Sequence, residues 1–143
     1  MSSRRFVVSG LGLPGLLFAA LASASVGTDP ATDEATLRHG EEVYGRCIAC
    51  HSIEANRTGP QHCGLFGRKA GTAPGFDGYS PAMRASGIVW DAKTLDRFLA
   101  DPLGVVPQTF MTYAGVPEAT DRAALIAWLA KATRPEKACQ LSD

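Results

Sequence analysis

Two cysteines and a histidine stand close together in the stretch RCIACHS, residues 46–52. Cys47 and Cys50 are separated by two residues, and His51 follows directly. A zinc site, a redox dithiol and a covalently attached haem all use a Cys-x-x-Cys pair. Only haem attachment requires the histidine, because two thioether bonds to the porphyrin hold the adjacent imidazole beneath the iron. The motif therefore favours haem attachment.

The two other uses of the pair fit this chain less well. A zinc site needs four ligands, and His62 and Cys63 are the candidates to complete it. They are neighbours in the chain, which is poor geometry for a tetrahedral site. A thioredoxin-type dithiol follows a strand in a βαβ unit, whereas Cys47 and Cys50 stand at the end of a predicted helix.

A haem iron bound by His51 needs a sixth ligand. The side chains that could supply it are Met83, Met111, His39 and His62. His39 lies on the helix that leads into the motif and would have to fold back over its own chain. Met83 lies in a short predicted helix, where a methionine more often fills a gap in the core. Met111 lies in the extended stretch VPQTFMTYAG and is favoured, with core packing as its alternative.

The first 24 residues have the pattern of a signal peptide. Arg4 and Arg5 precede a mostly apolar run over residues 6–22, and the small residues ASA at 22–24 form a cleavage site. The run is barely long enough to span a bilayer, so an uncleaved membrane anchor is the alternative. A twin-arginine signal is matched only imperfectly. We predict export to the periplasm.

Composition and charge fit one globular domain that does not bind nucleic acid. The chain has 143 residues, 45% of them hydrophobic and 20% charged. Removal of residues 1–24 takes two of the 14 basic residues and none of the 14 acidic ones, which leaves a net charge of about −2. No basic stripe remains that could neutralise phosphates.

The predicted elements are helices separated by long loops. A first helix, capped by Thr32, runs into the Cys-x-x-Cys motif, and a last helix covers about residues 117–132. Two shorter helices lie between them, one opening at Ser80-Pro81 and one that stops before Pro102. Residues 56–79 have no strand or helix period. Since so long a loop is unusual in a compact domain, a large flat cofactor wrapped by the loops would explain it.

Five longer stretches carry a family resemblance: TGPQHCGLFGRKAGTAPGF, GIVW, FLADP, VPQTFMTYAG and LIAWLAKAT. In order and spacing they resemble the class I c-type cytochromes, that is, mitochondrial cytochrome c and its close bacterial relatives. The resemblance implies an all-α cytochrome c fold of about four to five helices, with long loops wrapped round one covalently attached haem. We expect a signal peptide at 1–24, a linker at 25–32, the cytochrome c domain at 33–133 and a C-terminal tail at 134–143.

The resemblance also implies which residues bind the haem. Cys47 and Cys50 would form the thioether bonds, and His51 and Met111 would be the axial ligands of the iron. Pro60 would accept a hydrogen bond from the His51 ring. The residues matched to those around the haem propionates are Arg68, Tyr79, Trp90 and Thr109.

The implied ligand set predicts electron transfer rather than catalysis, because a six-coordinate iron has no open position for a substrate. The expected partners of this monomer are redox proteins that dock at the haem edge, either a membrane respiratory complex or a periplasmic dehydrogenase. The alternative is a haem peroxidase or a gas-binding sensor, which would require a labile Met111. A subunit of a larger redox complex is a further alternative.

Several positions depart from the family pattern. Phe110 stands where a lysine often precedes the methionine, so the surface there would be apolar and slightly acidic. Phe98 replaces a tyrosine that hydrogen-bonds to the methionine sulfur, and Gln108 replaces a glycine. Cys63 and Cys139 are additional cysteines, for which an oxidising compartment favours a disulfide between them. Two unpaired thiols, or an intermolecular bond through Cys139, are the alternatives.

Overall fold

The computed structural model of the protein describes residues 33–135. It contains five helices, which are α1 (Glu34–Tyr44), α2 (Pro81–Ala85), α3 (Ala92–Ala100), α4 (Pro102–Val105) and α5 (Ala119–Ala132). No strand occurs within these residues, where Lys69 and Val89 form an isolated antiparallel bridge. The all-α fold class is confirmed. No helix in this range is long and apolar enough to cross a membrane. The predicted signal peptide, the linker and Cys139 lie outside the described residues.

Helix α1 begins at an aspartate cap and ends before the Cys-x-x-Cys motif. The Asp33 carboxylate accepts a hydrogen bond from the backbone N–H of Thr36 at 2.7 Å, as an N-cap residue does. The helix ends at Tyr44, and the chain from there to Cys50 forms consecutive turns. The motif therefore lies just beyond the helix, which holds it at the end of a rigid element.

Polar side chains also set the starts of α2 and α3. The Ser80 hydroxyl accepts a hydrogen bond from the N–H of Met83 at 3.1 Å, and Pro81 occupies the first turn. At α3, Asp91 accepts from the N–H of Thr94 while the Thr94 hydroxyl accepts from the N–H of Asp91, a reciprocal capping box. Both predicted helices are therefore present, with short side chains as their caps.

Helices α1 and α5 cross in close contact at a glycine. Gly40 is buried at the crossing, where an added Cβ would lie 2.6 Å from the Cβ of Trp128 and would overlap with the carbonyl of Ala124. The ring of Tyr44 packs on Trp128, with centroids 4.6 Å apart. The backbones can approach this closely only because position 40 has no side chain.

A polar cluster joins the same two helices at the protein surface. The Asp121 carboxylate of α5 accepts from Nε2 of His39 at 2.9 Å and pairs with the guanidinium of Arg46 at 2.9 Å. These hydrogen bonds, with that from His39 first in effect, hold the pKa of Asp121 below its ordinary value. The cluster therefore links the chain just before the motif to the last helix.

The hydrophobic core is shared between the helices and the long loops. Loop residues such as Leu65 and Val116 are as deeply buried as helical residues such as Val43 and Leu125. Within the long loop, the Asn56 side chain donates to the carbonyl of Pro74 at 2.8 Å. The loops thus contribute core residues of their own, and they surround the cavity described next.

Candidate functional site

A cavity of about 490 Å³ lies between the helices and the loops. Much of its lining is apolar and includes Leu65, Leu95, Phe98, Leu125 and Leu129. Every residue that was predicted to bind the haem also lines it, namely Cys47, Cys50, His51, Pro60, Arg68, Tyr79, Trp90, Thr109 and Met111. The fold therefore brings these residues from separate parts of the chain to one apolar chamber.

The His51 ring is held against the loop that follows it. Its Nδ1 lies 2.8 Å from the carbonyl oxygen of Pro60, to which Nδ1–H donates a hydrogen bond. Gly59 packs so closely that an added Cβ there would overlap with the imidazole. Burial lowers the pKa of His51, so the ring is neutral at neutral pH. With its proton on Nδ1, the ring presents an unprotonated Nε2 that can bind a metal ion.

The two motif cysteines do not have the properties of a redox dithiol. Cys47 is partly buried, Cys50 is exposed, and both are free thiols. Burial raises the pKa of Cys47, whereas a reactive dithiol has a lowered thiol pKa. Cys63 is disulfide-bonded and therefore has no thiolate to offer a zinc ion. Within residues 33–135, no group of three or more His, Cys, Asp or Glu side chains is arranged to hold a metal.

The structure distinguishes the four candidates for a second axial ligand by where their side chains lie. His39 is on the outer side of α1 and does not line the cavity. The His62 ring stacks on His51, with centroids 4.4 Å apart and planes inclined by 22°. A ring in that position lies beside His51, so it could not bind an iron on the side opposite to His51. Met83 and Met111 both line the cavity.

Arg68 lines the cavity and is held there by hydrogen bonds of its guanidinium group. Its two terminal nitrogens donate to the carbonyl oxygens of Cys63 at 2.6 Å and Gln61 at 2.9 Å. Its Nε–H is buried and, among the described residues, is the one buried side-chain nitrogen or oxygen that makes no hydrogen bond. Because Nε–H has almost no accessible surface, it does not reach the open space of the cavity, and Arg68 contributes a positive charge to the cavity wall rather than a free donor.

Sequence comparisons place the chain among known proteins. No model of a known protein family matches it. It is 49% identical over 89 residues to cytochrome c2 iso-2 of Magnetospirillum fulvum, which covers 61% of this chain and 92% of that protein. It is 44% identical over 94 residues to cytochrome c2 of Rhodomicrobium vannielii, covering 64% of this chain and 74% of the relative. The chain belongs to the class I c-type cytochromes.

The structural comparison agrees with this assignment. The structure of cytochrome cH from Methylobacterium extorquens matches with a TM-score of 0.64 and 38% identity, over 66% of this chain and 97% of that one. The predicted family, fold and cofactor are thereby confirmed. This c-type cytochrome carries one covalently attached haem c, and its function is electron transport.

The residues of the cavity fit the haem of a c-type cytochrome. The apolar lining suits a porphyrin, and the two free thiols stand two residues apart beside a neutral imidazole. The positive charge of Arg68 in the cavity wall suits a propionate. The structure adds two features: the stacking of His62 on His51, which was missed from the sequence, and the place in the cavity wall of Met83, which is also a core residue as predicted. The position of His62 two residues after Pro60 was the available signal for the first.

Burial governs the charge of His62. It lowers the pKa of this imidazole to about 3, with smaller contributions from His51 and from the Arg68 guanidinium. The ring is therefore neutral at neutral pH and adds no positive charge to the cavity.

Proposed function

We propose that this cytochrome is a periplasmic one-electron carrier whose haem is attached through Cys47 and Cys50 and ligated by His51 and Met111. The haem iron, when bound, supplies the redox chemistry by taking up and releasing one electron. The observation that carries the proposal is the His51–Pro60 hydrogen bond at 2.8 Å, because it leaves Nε2 of a neutral imidazole free to bind iron beside two free thiols.

The other cavity residues support electron transfer by excluding water and by binding the haem propionates. Leucine and phenylalanine side chains keep water out, which favours the less charged ferrous state and limits rearrangement with each electron. Arg68 would stabilise a propionate through its positive charge, and Tyr79, Trp90 and Thr109 would line the remainder of that site. No substrate pocket is needed for this function, and we propose that the protein is not an enzyme.

The surface next to the proposed ligands would decide which partners dock. Phe110, directly before Met111, is 66% exposed, and Ile48, between the two thioether cysteines, is 51% exposed. Such side chains provide apolar contact but no long-range steering charge. We propose that the partners are redox proteins with a weakly charged, partly apolar face, such as a respiratory complex or a periplasmic dehydrogenase. The on-rate with such a partner should change little between low and physiological salt.

We further propose that residues 33–133 form the haem domain, that residues 1–24 direct export, and that 25–32 and 134–143 are a linker and a tail. The disulfide of Cys63 supports an oxidising location. Its predicted partner, Cys139, is outside the described residues, so that pairing stays a prediction.

A matched pair of methionine variants tests the ligand set. We expect the wild-type ferric protein to show the weak methionine–iron charge-transfer band, and the dithionite-reduced protein to show a sharp low-spin α band that CO leaves unchanged. Met111→Leu should lose the charge-transfer band and bind CO, whereas Met83→Leu should keep the band and exclude CO. Loss of the band in Met83→Leu alone would reverse the assignment. A high-spin wild-type spectrum that shifts at once with CO would instead support a peroxidase or gas sensor.

A further inference from the structure

A second imidazole in the cavity has no role in the function proposed above. His62 lines the cavity and stacks on the ring of His51, with centroids 4.4 Å apart and planes inclined by 22°. It is too close to the first axial ligand to be the second one. A polar aromatic ring in this apolar chamber therefore calls for another explanation.

His62 is itself held in place by two independent contacts. Its backbone N–H donates to the carbonyl of Ser52 at 3.0 Å, which pins it beside the residue that follows His51. Its Nδ1 lies in hydrogen-bond contact with the Tyr44 hydroxyl at 3.2 Å. Tyr44 in turn packs on Trp128 of α5 at 4.6 Å between centroids. A continuous series of contacts thus runs from the crossing of α1 and α5 to the His51 ring.

The hydrogen bond from His51 to Pro60 does not by itself determine how the His51 ring is turned. It fixes the position of Nδ1, a metal bond would fix Nε2, and the Cβ–Cγ bond ties the ring to the backbone, yet small changes of χ1 and χ2 could still tilt the ring plane. A contact with the flat face of the ring is needed to fix its plane. His62 provides a flat face at stacking distance, and Gly59 packs on the same ring.

We propose that His62 is a positioning residue that sets the ring plane of His51, with the Tyr44 hydroxyl holding His62 in orientation. This inference rests on His51 being an axial ligand, as proposed above. The plane of an axial imidazole determines which iron orbitals it overlaps, and hence how unpaired electron density is distributed over the porphyrin of the ferric protein. The stack therefore acts on the electronic structure of the site and not on its ligand set.

Proton NMR of the haem-loaded ferric protein tests the proposal, because the shifts of the haem methyl resonances report that distribution. The variants are His62→Leu, which removes the flat face, and His62→Phe, which restores one without the ring nitrogens. His39→Leu is the control, since His39 is also a histidine but lies outside the cavity. We expect His62→Leu to change the order of the methyl shifts, His62→Phe to return it towards that of wild type, and His39→Leu to leave it unaltered.

A wild-type order of methyl shifts in His62→Leu would overturn the proposal and leave His62 as packing alone. Should His62→Leu fail to load haem, Tyr44→Phe provides the test, because it removes only the hydroxyl. We then expect a smaller change of the same methyl pattern, and an unchanged pattern would overturn the proposal. Absence of the methionine–iron band in the wild-type protein would instead contradict the proposed ligand set. Failure of the proposal for His62 can therefore be distinguished from failure of the proposed function.

Discussion

Replacement of Gly40 by alanine tests the crossing of α1 and α5, on which the placement of the haem motif depends. Two effects oppose each other. Alanine is favoured over glycine inside a helix by about 1 kcal/mol. However, the new Cβ would lie 2.6 Å from the Cβ of Trp128 and would overlap with the backbone carbonyl of Ala124. Because carbon atoms pack at about 3.5–4.0 Å, the two helices would have to separate by about 1 Å.

The clash should outweigh the gain in helix propensity. The carbonyl of Ala124 belongs to the backbone of α5 and cannot turn aside as a side chain could. Overpacking of a core typically lowers the free energy of unfolding by about 1–3 kcal/mol and occasionally by more, and we expect the upper end here because the new Cβ meets a fixed backbone carbonyl. After the gain in propensity, we expect a net loss of about 2–3 kcal/mol. This corresponds to a fall in Tm of about 10–20 °C for a domain of this size.

Guanidinium denaturation of the haem-loaded protein, followed by circular dichroism, would measure the loss. Gly45→Ala is the matched control, because Gly45 follows the same helix, has helical backbone angles and is exposed. An alanine there would place its Cβ 2.9 Å from the carbonyl oxygen of Glu42 in its own turn, which a local shift can relieve without moving α5, so we expect a loss below about 1 kcal/mol. If Gly40→Ala were as stable as Gly45→Ala, the reasoning about the crossing would be wrong.

Three further substitutions have expected outcomes. Asp121→Asn removes the carboxylate that binds His39 and Arg46, so it should lower the urea midpoint of unfolding at neutral pH. Because the pKa of Asp121 is lowered in the folded state, the difference from wild type should persist above about pH 4 and shrink in stronger acid. Gln108 has a φ of 66°, so Gln108→Gly should relieve about 1–2 kcal/mol of backbone strain. The greater backbone entropy of glycine in the unfolded chain offsets about 0.4–1 kcal/mol of this gain. We therefore expect an unchanged or higher Tm, and a lower Tm would contradict the prediction. Arg68→Lys keeps the charge but loses the two parallel hydrogen bonds to the carbonyl oxygens of Cys63 and Gln61. We expect chemical denaturation to show a free energy of unfolding that is lower by about 1–3 kcal/mol. An unchanged free energy of unfolding would show that these hydrogen bonds do not stabilise the fold.

Two of the helix starts could be predicted from the sequence because they depend on local chemistry, with Asp91 and Thr94 as the two candidates for α3. The predicted cap of α1 was wrong, since Asp33 and not Thr32 is its N-cap. Ser80 and Asp91 cap α2 and α3 through side chains that reach only three residues along the chain. Helix α4 was missed because Pro102 was interpreted only as the end of the preceding helix. In the structure the same proline also begins a new helix, for which the Asp101 side chain accepts from the N–H of Gly104 at 2.9 Å.

The residues of the site could be identified from the sequence, but several of their contacts could not be predicted. The motif at Cys47–His51 is contiguous, and the family resemblance supplied the more distant cavity residues. The stacking of His62 on His51 depends on the path of the intervening loop, which returns so that the N–H of His62 meets the carbonyl of Ser52. The unsatisfied Nε of Arg68 likewise depends on which carbonyl oxygens the loop presents to the other two nitrogens. Neither follows from spacing alone.

The volume of the cavity also bears on whether the chain folds before or after the haem is attached. A closed cavity lowers stability by about 24 cal/mol per Å³, so about 12 kcal/mol is an upper bound for this partly open chamber of about 490 Å³. A whole domain is stable by only about 5–15 kcal/mol. The polypeptide alone is therefore expected to be much less stable than the haem-loaded protein, and the partly buried thiol of Cys47 is more accessible before the chain folds. Biogenesis would then proceed from haem attachment to folding, with the attached porphyrin serving as the nucleus around which the helices assemble.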